Sequence, residues 1–346
     1  MERSPLVSEM VPVEDSLEAV NDLFLERGWS DGLPIVPPTE GRILRMLAGS
    51  RRPSEQVVAT LAPAEGTATV EKIAVNCVMA GCRPDYLPVV IAAIEAMADP
   101  LFNLYGVQTT TNPVTPAFIV NGPIRQTLGL NSSYNCLGQG SRANATIGRA
   151  VRLVLTNVGG ASPGILDKAT QGQPAKFTFC FAENEEESPW EPLSVERGLG
   201  PGISAVTALG AGGTIDINDP YCKTAGGFLD LVAGSIMSMG CGNLMHVGHI
   251  PLLIFCPEHA ALLAGEGYSK AEAKRALYER AAVPLARFPR EVAEGRILRE
   301  RLSPDAILHP APGPEEMLFV VAGGSGHHTV FVPTSQAQPV TRAIEA

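Results

Sequence analysis

The sequence has no run of lysine and arginine residues, and charged side chains make up only 18% of it. Acidic residues outnumber basic ones, which gives a formal net charge of -10 and a pI near 5.2. A protein that binds nucleic acid through its phosphates needs a basic patch or stripe. We therefore expect no nucleic-acid partner, and we interpret the acidic balance as ordinary solubility.

Long apolar runs are also lacking. The longest candidate, 87–98, is interrupted by Glu95, whereas a membrane-spanning helix needs about 18–20 apolar residues. Residues 1–20 mix acidic and basic side chains and contain no apolar core, so we expect no signal peptide and no membrane partner.

A disulfide framework is a third missing feature. The seven cysteines are an odd number and are scattered over 346 residues. Small secreted domains instead have an even set of closely spaced cysteines. We expect reduced thiols and a cytoplasmic location.

Hydrophobic residues make up 45% of the chain, and its 35 glycines and 29 prolines indicate many turns. This composition predicts an ordered globular protein. Apolar residues with the 3.6-residue period predict helices over 69–81 and from Pro84 onward, and short apolar runs at 117–120 and 251–255 predict buried strands. Helices and strands alternate along the chain. The sequence thus predicts an α/β fold, a mixed sheet with flanking helices.

The expected organisation has three parts. Residues 1–55 hold N-terminal helices and a proline-rich strap, which cannot be regular structure because proline lacks a donor and fixes φ. A Gly/Pro-rich segment, 162–174, then separates a first α/β half, 56–161, from a second, 175–346.

The two halves echo one another. Segments 116–134 and 251–269 each read proline, four apolar residues, a proline turn, a helix and a glycine. Upstream, Gly81-Cys82 and Gly240-Cys241 each follow a predicted helix. Two pseudo-duplicated α/β halves would explain the echo, and chance likeness between short strand–helix units is the alternative.

Cys82 is the strongest single candidate for chemistry. It stands between Gly81, a helix terminator, and Arg83-Pro84, a predicted helix start. Free backbone N–H groups, the positive end of the helix dipole and the Arg83 charge would favour a reactive thiolate there. The alternative is a small buried cysteine that fills the turn. Cys77 lies on an apolar helix stripe, which indicates core packing.

A second cluster, Cys241, His246 and His249, offers soft and borderline ligands for zinc or copper. No paired carboxylate accompanies these three residues within their nine-residue span. Turn residues with polar side chains are the alternative interpretation.

Other polar groups follow predicted strands and turns. Glu183 and Glu185 could act as acid or base, although a charge run is usually a solvated face. The glycine-rich loop 323–329 could contact a ligand or form a plain hairpin. The further candidates for substrate binding are Arg83, Asn112, Arg125, Arg142, Asn144, Gly324, His327 and His328. Arginines at 125 and 142 could clamp a carboxylate, although surface arginines are the commoner case.

Several strings resemble one bacterial family. They are DGLPIVPPTEGR (31–42), TVEKIAVNCVMAGCRPDYLPVV (69–90), FIVNGPIR (118–125), RANATIGRAVRLVL (142–155), FCFAENEEESPWEPLSVERG (179–198), PEHAALLAGEGYSKAEAKR (257–275) and VVAGGSGHHT (320–329). Over about residues 15–340 the chain looks like the UGSC family, which is named for a selenocysteine/cysteine motif and is sometimes labelled thiol-disulfide oxidoreductase.

The resemblance sorts the candidates. The family usually has the Gly-Cys-Arg-Pro string seen here at 81–84, which strengthens the case for Cys82 as a functional residue. It usually lacks Cys241, His246 and His249, has a small apolar residue at the position of Cys77, and has lysine or a similar residue at that of His327. The selenocysteine motif itself is not present in this sequence.

Three functional hypotheses follow. The first is an enzyme that uses the Cys82 thiolate, as a nucleophile or as a redox thiol, on a small polar, carboxylate-bearing molecule, with the loops 109–113, 121–125, 183–187 and 323–329 converging on it. The second is a metal-dependent hydrolase or lyase that uses Cys241, His246 and His249. The third is a non-catalytic small-molecule binding protein. No cofactor is indicated beyond that zinc or copper, and the sequence allows a homo-oligomer.

Overall fold

The computed structural model describes residues 6–246 and 248–345. The helices are α1 (Leu17–Glu26), α2 (Glu40–Leu47), α3 (Val70–Ala80), α4 (Leu87–Ala98), α5 (Leu104–Thr109), α6 (Ile124–Leu128), α7 (Arg142–Asn157), α8 (Leu193–Glu196), α9 (Ala225–Ile236), α10 (Gly242–Met245), α11 (Pro257–Gly265), α12 (Lys270–Arg280) and α13 (Arg290–Glu300). The strands are β1 (Val57–Leu61), β2 (Gly66–Thr69), β3 (Thr115–Asn121), β4 (Cys180–Ala182), β5 (Ala205–Ala211), β6 (Ile215–Asn218), β7 (Leu252–Phe255), β8 (Val283–Pro284), β9 (Ile307–Leu308), β10 (Leu318–Val321), β11 (His328–Val332) and β12 (Val340–Ala343). The predicted α/β fold, with mixed sheets and flanking helices, is confirmed.

The chain divides into two compact units, and neither is one continuous range. Unit 1 holds the residues up to Glu183, Ser194–Ala211 and the residues from Gln336 on. Unit 2 holds Asn184–Leu193 and Gly212–Ser335. These units differ from the expected ranges 1–55, 56–161 and 175–346, because β5 and β12 pair within the sheet that contains β3.

The sheet of unit 1 has the order β12-β5-β3-β4. Strands β3 and β4 are parallel, and β5 is antiparallel to both β3 and β12. Every residue of β3 and β5 is buried, as is typical of central strands covered on both faces. Helix α4 packs against β5 and β12, and α3 packs against α2 and α7.

The helices of unit 1 begin and end where the local sequence dictates. Thr69 caps α3 by accepting a hydrogen bond from the Lys72 N–H, and Ser141 caps α7 by accepting one from the Asn144 N–H. The proline-rich strap, residues 29–39, contains neither helix nor strand, as predicted. It is held by Arg149, whose Nε and Nη2 bond the Asp31 carboxylate at 2.7 and 2.8 Å.

The sheet of unit 2 has the order β10-β7-β11-β6. Strands β10 and β7 are parallel, and β11 is antiparallel to both β7 and β6. An aromatic cluster fills its core, with the Phe255 ring centroid 4.9 Å from that of Phe319 and 6.2 Å from that of Phe228. Ser269 and Glu272 form a capping box at the start of α12.

Candidate functional site

A Schellman turn at the end of α3 holds Cys82. The Gly81 N–H bonds the Val78 carbonyl, and the Cys82 N–H bonds the Cys77 carbonyl, both at 2.9 Å. Gly81 has φ 87°, which glycine adopts without strain. Cys82 therefore caps the carboxyl end of a helix, and its side chain lies beside that of Cys77, which the motif places one turn earlier.

The expected helix start beside Cys82 is present. Arg83 is the N-cap and Pro84 the first residue of a 3₁₀ turn, Pro84–Tyr86, which runs directly into α4 at Leu87. Cys82 therefore lies between the carboxyl end of α3, which carries partial negative charge, and the amino end of the next helix, which carries partial positive charge. The Cys82 Sγ donates a hydrogen bond to the Thr146 carbonyl at 3.2 Å.

Arg83 does not serve the thiol. Its guanidinium pairs with Asp85, with the Nε 3.1 Å from Oδ1, and lies 5.4 Å over the Tyr86 ring. The side chain is exposed and satisfied by its own neighbours. The expectation that Arg83 supplies charge to Cys82 therefore finds no support in its contacts.

Three other arginines share a cleft with Cys82. The cleft has a volume of about 300 Å³ and is lined by Val36, Arg42, Arg45, Met46, Val78, Gly81, Cys82, Pro84 and Arg142. Cys82 is only 7% exposed and lies in the wall of this cleft. The structure thus brings the expected residues Cys82 and Arg142 together, and it adds two residues that the sequence reasoning missed.

Helix α2 supplies the two added arginines. Arg42 and Arg45 are three residues apart, and such residues share a helix face. Gly49 lets the end of α2 approach the cysteine turn, since a Cβ there would lie 1.9 Å from the Pro84 carbonyl oxygen. The spacing of the arginines was visible in the sequence, but the packing of α2 beside Cys82 was not.

Two of the three guanidinium groups donate to neutral carbonyl groups, and Arg42 and Arg45 also line a second cavity, which Asp15 shares. Arg142 donates to the Gly81 carbonyl from Nε at 3.0 Å and from Nη2 at 2.8 Å, and Arg42 donates to the Pro37 carbonyl at 2.9 Å. In the part of the chain that the structure describes, none of the three forms an ion pair with a carboxylate. The cleft is therefore a cationic pocket beside a thiol.

Arg125 and Glu183 belong to a different place in unit 1, the carboxyl ends of β3 and β4. Asn121 Nδ2 donates to a Glu183 carboxylate oxygen at 2.6 Å, and Arg125 Nη1 donates to the Glu183 carbonyl at 2.7 Å. All three residues are buried. Strand ends of this kind often hold ligands in α/β folds, but none of the three lines the Cys82 cleft.

The geometry of β4 separates the two places. Cys180 and Cys82 interact electrostatically, and Glu183 lies three residues further on, roughly 10 Å along an extended chain. Successive side chains of a strand point to opposite faces, so Glu183 and Cys180 point apart. The loops 109–113 and 121–125 also contribute no residue to the cleft lining. Their expected convergence on Cys82 is not seen.

Asn144 has a structural role. Its Oδ1 accepts hydrogen bonds from the Asn131 N–H and the Ser141 hydroxyl at 2.9 Å, and its Nδ2 donates to the carbonyls of Asn131 and Cys136 at 2.9 and 3.0 Å. These four bonds organise the segment before α7 and leave Asn144 no free position for substrate. Asn112 lies in the turn after α5, and its buried Oδ1 has no hydrogen-bond partner.

The remaining candidates lie in unit 2. Glu185 follows Asn184 in the turn before Trp190, and Gly324 and His327 lie in the loop between β10 and β11. This loop is not a hairpin, because β7 lies between the two strands.

Two contacts position the neighbours of that loop. The Cys256 Sγ donates to the Gly326 carbonyl at 3.3 Å, and the exposed His328 ring bonds Asp216 at 2.9 Å. His328 is therefore paired on the surface of β11 with a carboxylate on β6.

The proposed metal ligands surround α10. His249 Nδ1 lies 3.0 Å from the Gly242 carbonyl, and the ring centroids of His246 and His249 are 5.6 Å apart. Burial raises the pKa of the Cys241 thiol. Among the described residues, no group of three His, Cys, Asp or Glu side chains is arranged to hold a metal ion. The site for zinc or copper stays a prediction.

No protein-family model matches the chain, and no curated protein matches it either. Within residues 6–246 and 248–345, no single helix is long and apolar enough to cross a membrane. The pair Pro84–Ala98 and Pro100–Thr109, bent by 72°, meets that requirement only when the two are counted together.

Proposed function

We propose that the cleft at Cys82 binds a small anionic molecule, such as a carboxylate, and that the Cys82 thiol reacts with it. The observation that carries the proposal is the presence of Arg42, Arg45 and Arg142 around one thiol in a cleft of about 300 Å³. Arginine is the side chain best suited to bind carboxylates, because its planar fork matches both oxygens. Membership in the UGSC-like family is part of this proposal and rests on the sequence strings.

The residues divide the work between binding and reaction. Arg42 and Arg45 approach from α2, Arg142 from the start of α7, and Cys82 supplies the sulfur. Positive charge beside a thiol favours the thiolate, which is the nucleophile. The thiol proton, now shared with the Thr146 carbonyl, passes to solvent when the sulfur reacts. Glu183 and Glu185 have no part in this proposal.

A pair of alkylating reagents tests it. Iodoacetate and iodoacetamide react alike, since the sulfur–carbon bond forms as iodide leaves, but only iodoacetate carries a negative charge. The ratio of their rates at Cys82, measured by mass spectrometry at low ionic strength, therefore reports the field of the cleft. We expect the variant R42Q/R45Q to lower this ratio about tenfold, since two charges that line the same cleft contribute on the order of 1 kcal/mol near a protein surface.

The control variant is R287Q/R299Q, which removes two exposed arginines of unit 2 and causes the same change in net charge. It should leave the ratio at Cys82 unchanged. An equal ratio in wild type and R42Q/R45Q would show that the arginines do not act on the thiol, and the proposal would fail.

A binding protein without catalysis is the second candidate. The hydrogen bond from the Cys82 Sγ to the Thr146 carbonyl favours it, because this bond ties the sulfur to the wall of the cleft. Once a ligand is found, the variant C82S separates the two candidates. The affinity for the ligand is kept in both cases, and only an enzyme has a turnover that the substitution abolishes.

A further inference from the structure

The Schellman turn brings a second thiol to Cys82. Cys77 and Cys82 occupy the two positions that the motif brings together, and side chains at these positions usually touch. The Cys82 thiol is both a hydrogen-bond partner and an electrostatic partner of Cys77. Cys77 is fully buried, while Cys82 lies in the cleft wall.

The backbone geometry permits a bond between the two sulfurs. The Cys82 nitrogen lies 2.9 Å from the Cys77 carbonyl oxygen. With standard covalent dimensions, this places the two Cα atoms at most about 6.8 Å apart. Disulfides join cysteines whose Cα atoms are about 4.4–6.8 Å apart, so the turn lies within the range that a disulfide can span.

We propose that Cys82 and Cys77 form a redox pair, in which Cys82 is oxidised from the cleft and Cys77 resolves the product as a Cys77–Cys82 disulfide. The oxidant is a small peroxide. The proposal does not depend on the anion site, because hydrogen peroxide is neutral and needs no arginine to enter.

The reaction has two balanced steps. In the first, the Cys82 sulfur attacks hydrogen peroxide, the O–O bond breaks, a sulfenic acid forms, and the leaving hydroxide takes up the thiol proton as water. In the second, the Cys77 sulfur attacks the Cys82 sulfur, the S–O bond breaks, and the hydroxyl group leaves with the Cys77 proton as a second water. Two thiols lose two electrons, and one peroxide becomes two waters.

The different burial of the two thiols fixes the order of these steps. Peroxide reaches sulfur through the cleft, where only Cys82 is a lining residue among the described cysteines. Burial raises the pKa of Cys77 well above that of an ordinary thiol, so Cys77 stays protonated until the sulfenic acid forms beside it. The second step should therefore accelerate as the pH rises.

A third thiol supplies the internal control. Cys180 on β4 also interacts electrostatically with Cys82, but it belongs to a strand and not to the Schellman turn that brings Cys77 and Cys82 together. If proximity alone decided which thiol forms the disulfide with Cys82, Cys180 could compete with Cys77. We expect the disulfide to form with Cys77 and not with Cys180.

The experiment treats the reduced full chain with one equivalent of hydrogen peroxide, blocks the remaining thiols with N-ethylmaleimide and digests it with trypsin. Cys77 and Cys82 are the only cysteines of fragment 73–125, because trypsin does not cleave between Arg83 and Pro84. We expect this fragment to lose two hydrogens, to carry no maleimide and to recover both thiols on reduction. The variant C180S should behave identically.

The variant C77S should instead accumulate a Cys82 sulfenic acid that dimedone traps. A disulfide between Cys82 and Cys180, or a wild-type Cys82 sulfenic acid that persists beside a free Cys77 thiol, would overturn the proposal. The variant R42Q/R45Q should still form the Cys77–Cys82 disulfide, so failure here and failure of the anion site are distinguishable.

Discussion

In both units a parallel pair of strands continues into two antiparallel pairings, β4-β3-β5-β12 in unit 1 and β10-β7-β11-β6 in unit 2. The strand β3 leads through a proline turn into α6, and β7 leads through a proline into α11. This shared order supports the hypothesis of two related halves. The last strand of each sheet does not follow its neighbour along the chain. The strand after β5 in sequence is β6, but β5 pairs with β12 in unit 1. The strand after β11 is β12, but β11 pairs with β6 in unit 2.

The two units differ in the charge around their partly accessible thiols. Cys82 of unit 1 shares its cleft with three arginines. Cys222 of unit 2 donates its backbone N–H to the Asp219 carboxylate at 2.9 Å. Burial, and then Asp219 and Asp230, raise the pKa of the Cys222 thiol. A common order of strands therefore carries opposite local fields, because the connecting segments and not the strands supply the charged side chains.

The largest expected effect tests whether the two sheets are equally important for stability. Phe118 on β3 and Phe255 on β7 occupy matching strands, and both are buried. We expect F118A and F255A each to lower the free energy of unfolding by about 3–5 kcal/mol, since each leaves a cavity in a packed core. Urea denaturation measures this. A loss below about 1 kcal/mol in either variant would break the equivalence of the two cores.

A smaller loss of unfolding free energy is expected when one of two ion pairs is removed. Arg149 bonds Asp31 through two nitrogens and also donates to the Leu33 and Pro34 carbonyls, whereas Arg290 pairs with Glu294 on the surface of α13. We expect R149Q to cost about 2–3 kcal/mol, because it leaves the buried Asp31 carboxylate without its partner.

The matched variant R290Q should cost less than about 0.5 kcal/mol, as exposed pairs do. Thermal or urea unfolding of both variants gives the comparison. Equal losses would contradict the view that the strap of unit 1 is held by its arginine.

The smallest effect is local and depends on pH. The Glu71 carboxylate accepts hydrogen bonds from the Val7 and Ser8 N–H groups at 3.1 and 2.7 Å. Burial acts to raise the pKa of Glu71, but these bonds and the Ser8 hydroxyl outweigh it and hold the pKa below its usual value. The folded pKa is lowered, so the stabilisation is present at neutral pH and is lost as the pH falls through that value.

Hydrogen exchange at Val7 and Ser8 measures this loss. E71Q should raise their exchange rates about tenfold at neutral pH, in line with the loss of a charge-assisted hydrogen bond. The variant E272Q, at the exposed capping box of unit 2, is the control and should not change them. Exchange that is the same in E71Q and wild type would show that Glu71 does not anchor the segment.

Local patterns predicted much of the fold. The period of apolar residues located α3 and α4, and the short run at 117–120 lies inside β3. In the sequence, Phe177, Phe179 and Phe181 alternate with Thr178, Cys180 and Ala182, which predicts a half-buried strand over 177–182. That strand is too long, because Pro174–Lys176 forms a 3₁₀ turn and only Cys180–Ala182 finds a partner strand. Pairing across the sheet decides such boundaries, and a single segment does not contain that information.

The site was harder to predict for the same reason. Cys82 and Arg142 were recognised as candidates, and the local preference of proline for helix starts located the helix that begins at Pro84. Arg42 and Arg45 were missed as site residues because their position depends on how α2 packs on α3. No sequence motif in α2 indicates that packing. Asn144 was predicted to bind substrate, but its side-chain hydrogen bonds go to Asn131, Cys136 and Ser141 in the segment before α7.

One measurement on the wild-type protein tests the central claim most directly. The rates of alkylation by iodoacetate and iodoacetamide are measured at Cys82 and Cys222 in the same sample. At low ionic strength, the iodoacetate-to-iodoacetamide ratio at Cys82 should exceed that at Cys222 by about tenfold or more, and 1 M salt should remove most of the difference because it screens charges beyond about 3 Å. Equal ratios, or a larger one at Cys222, would contradict an anion site at Cys82.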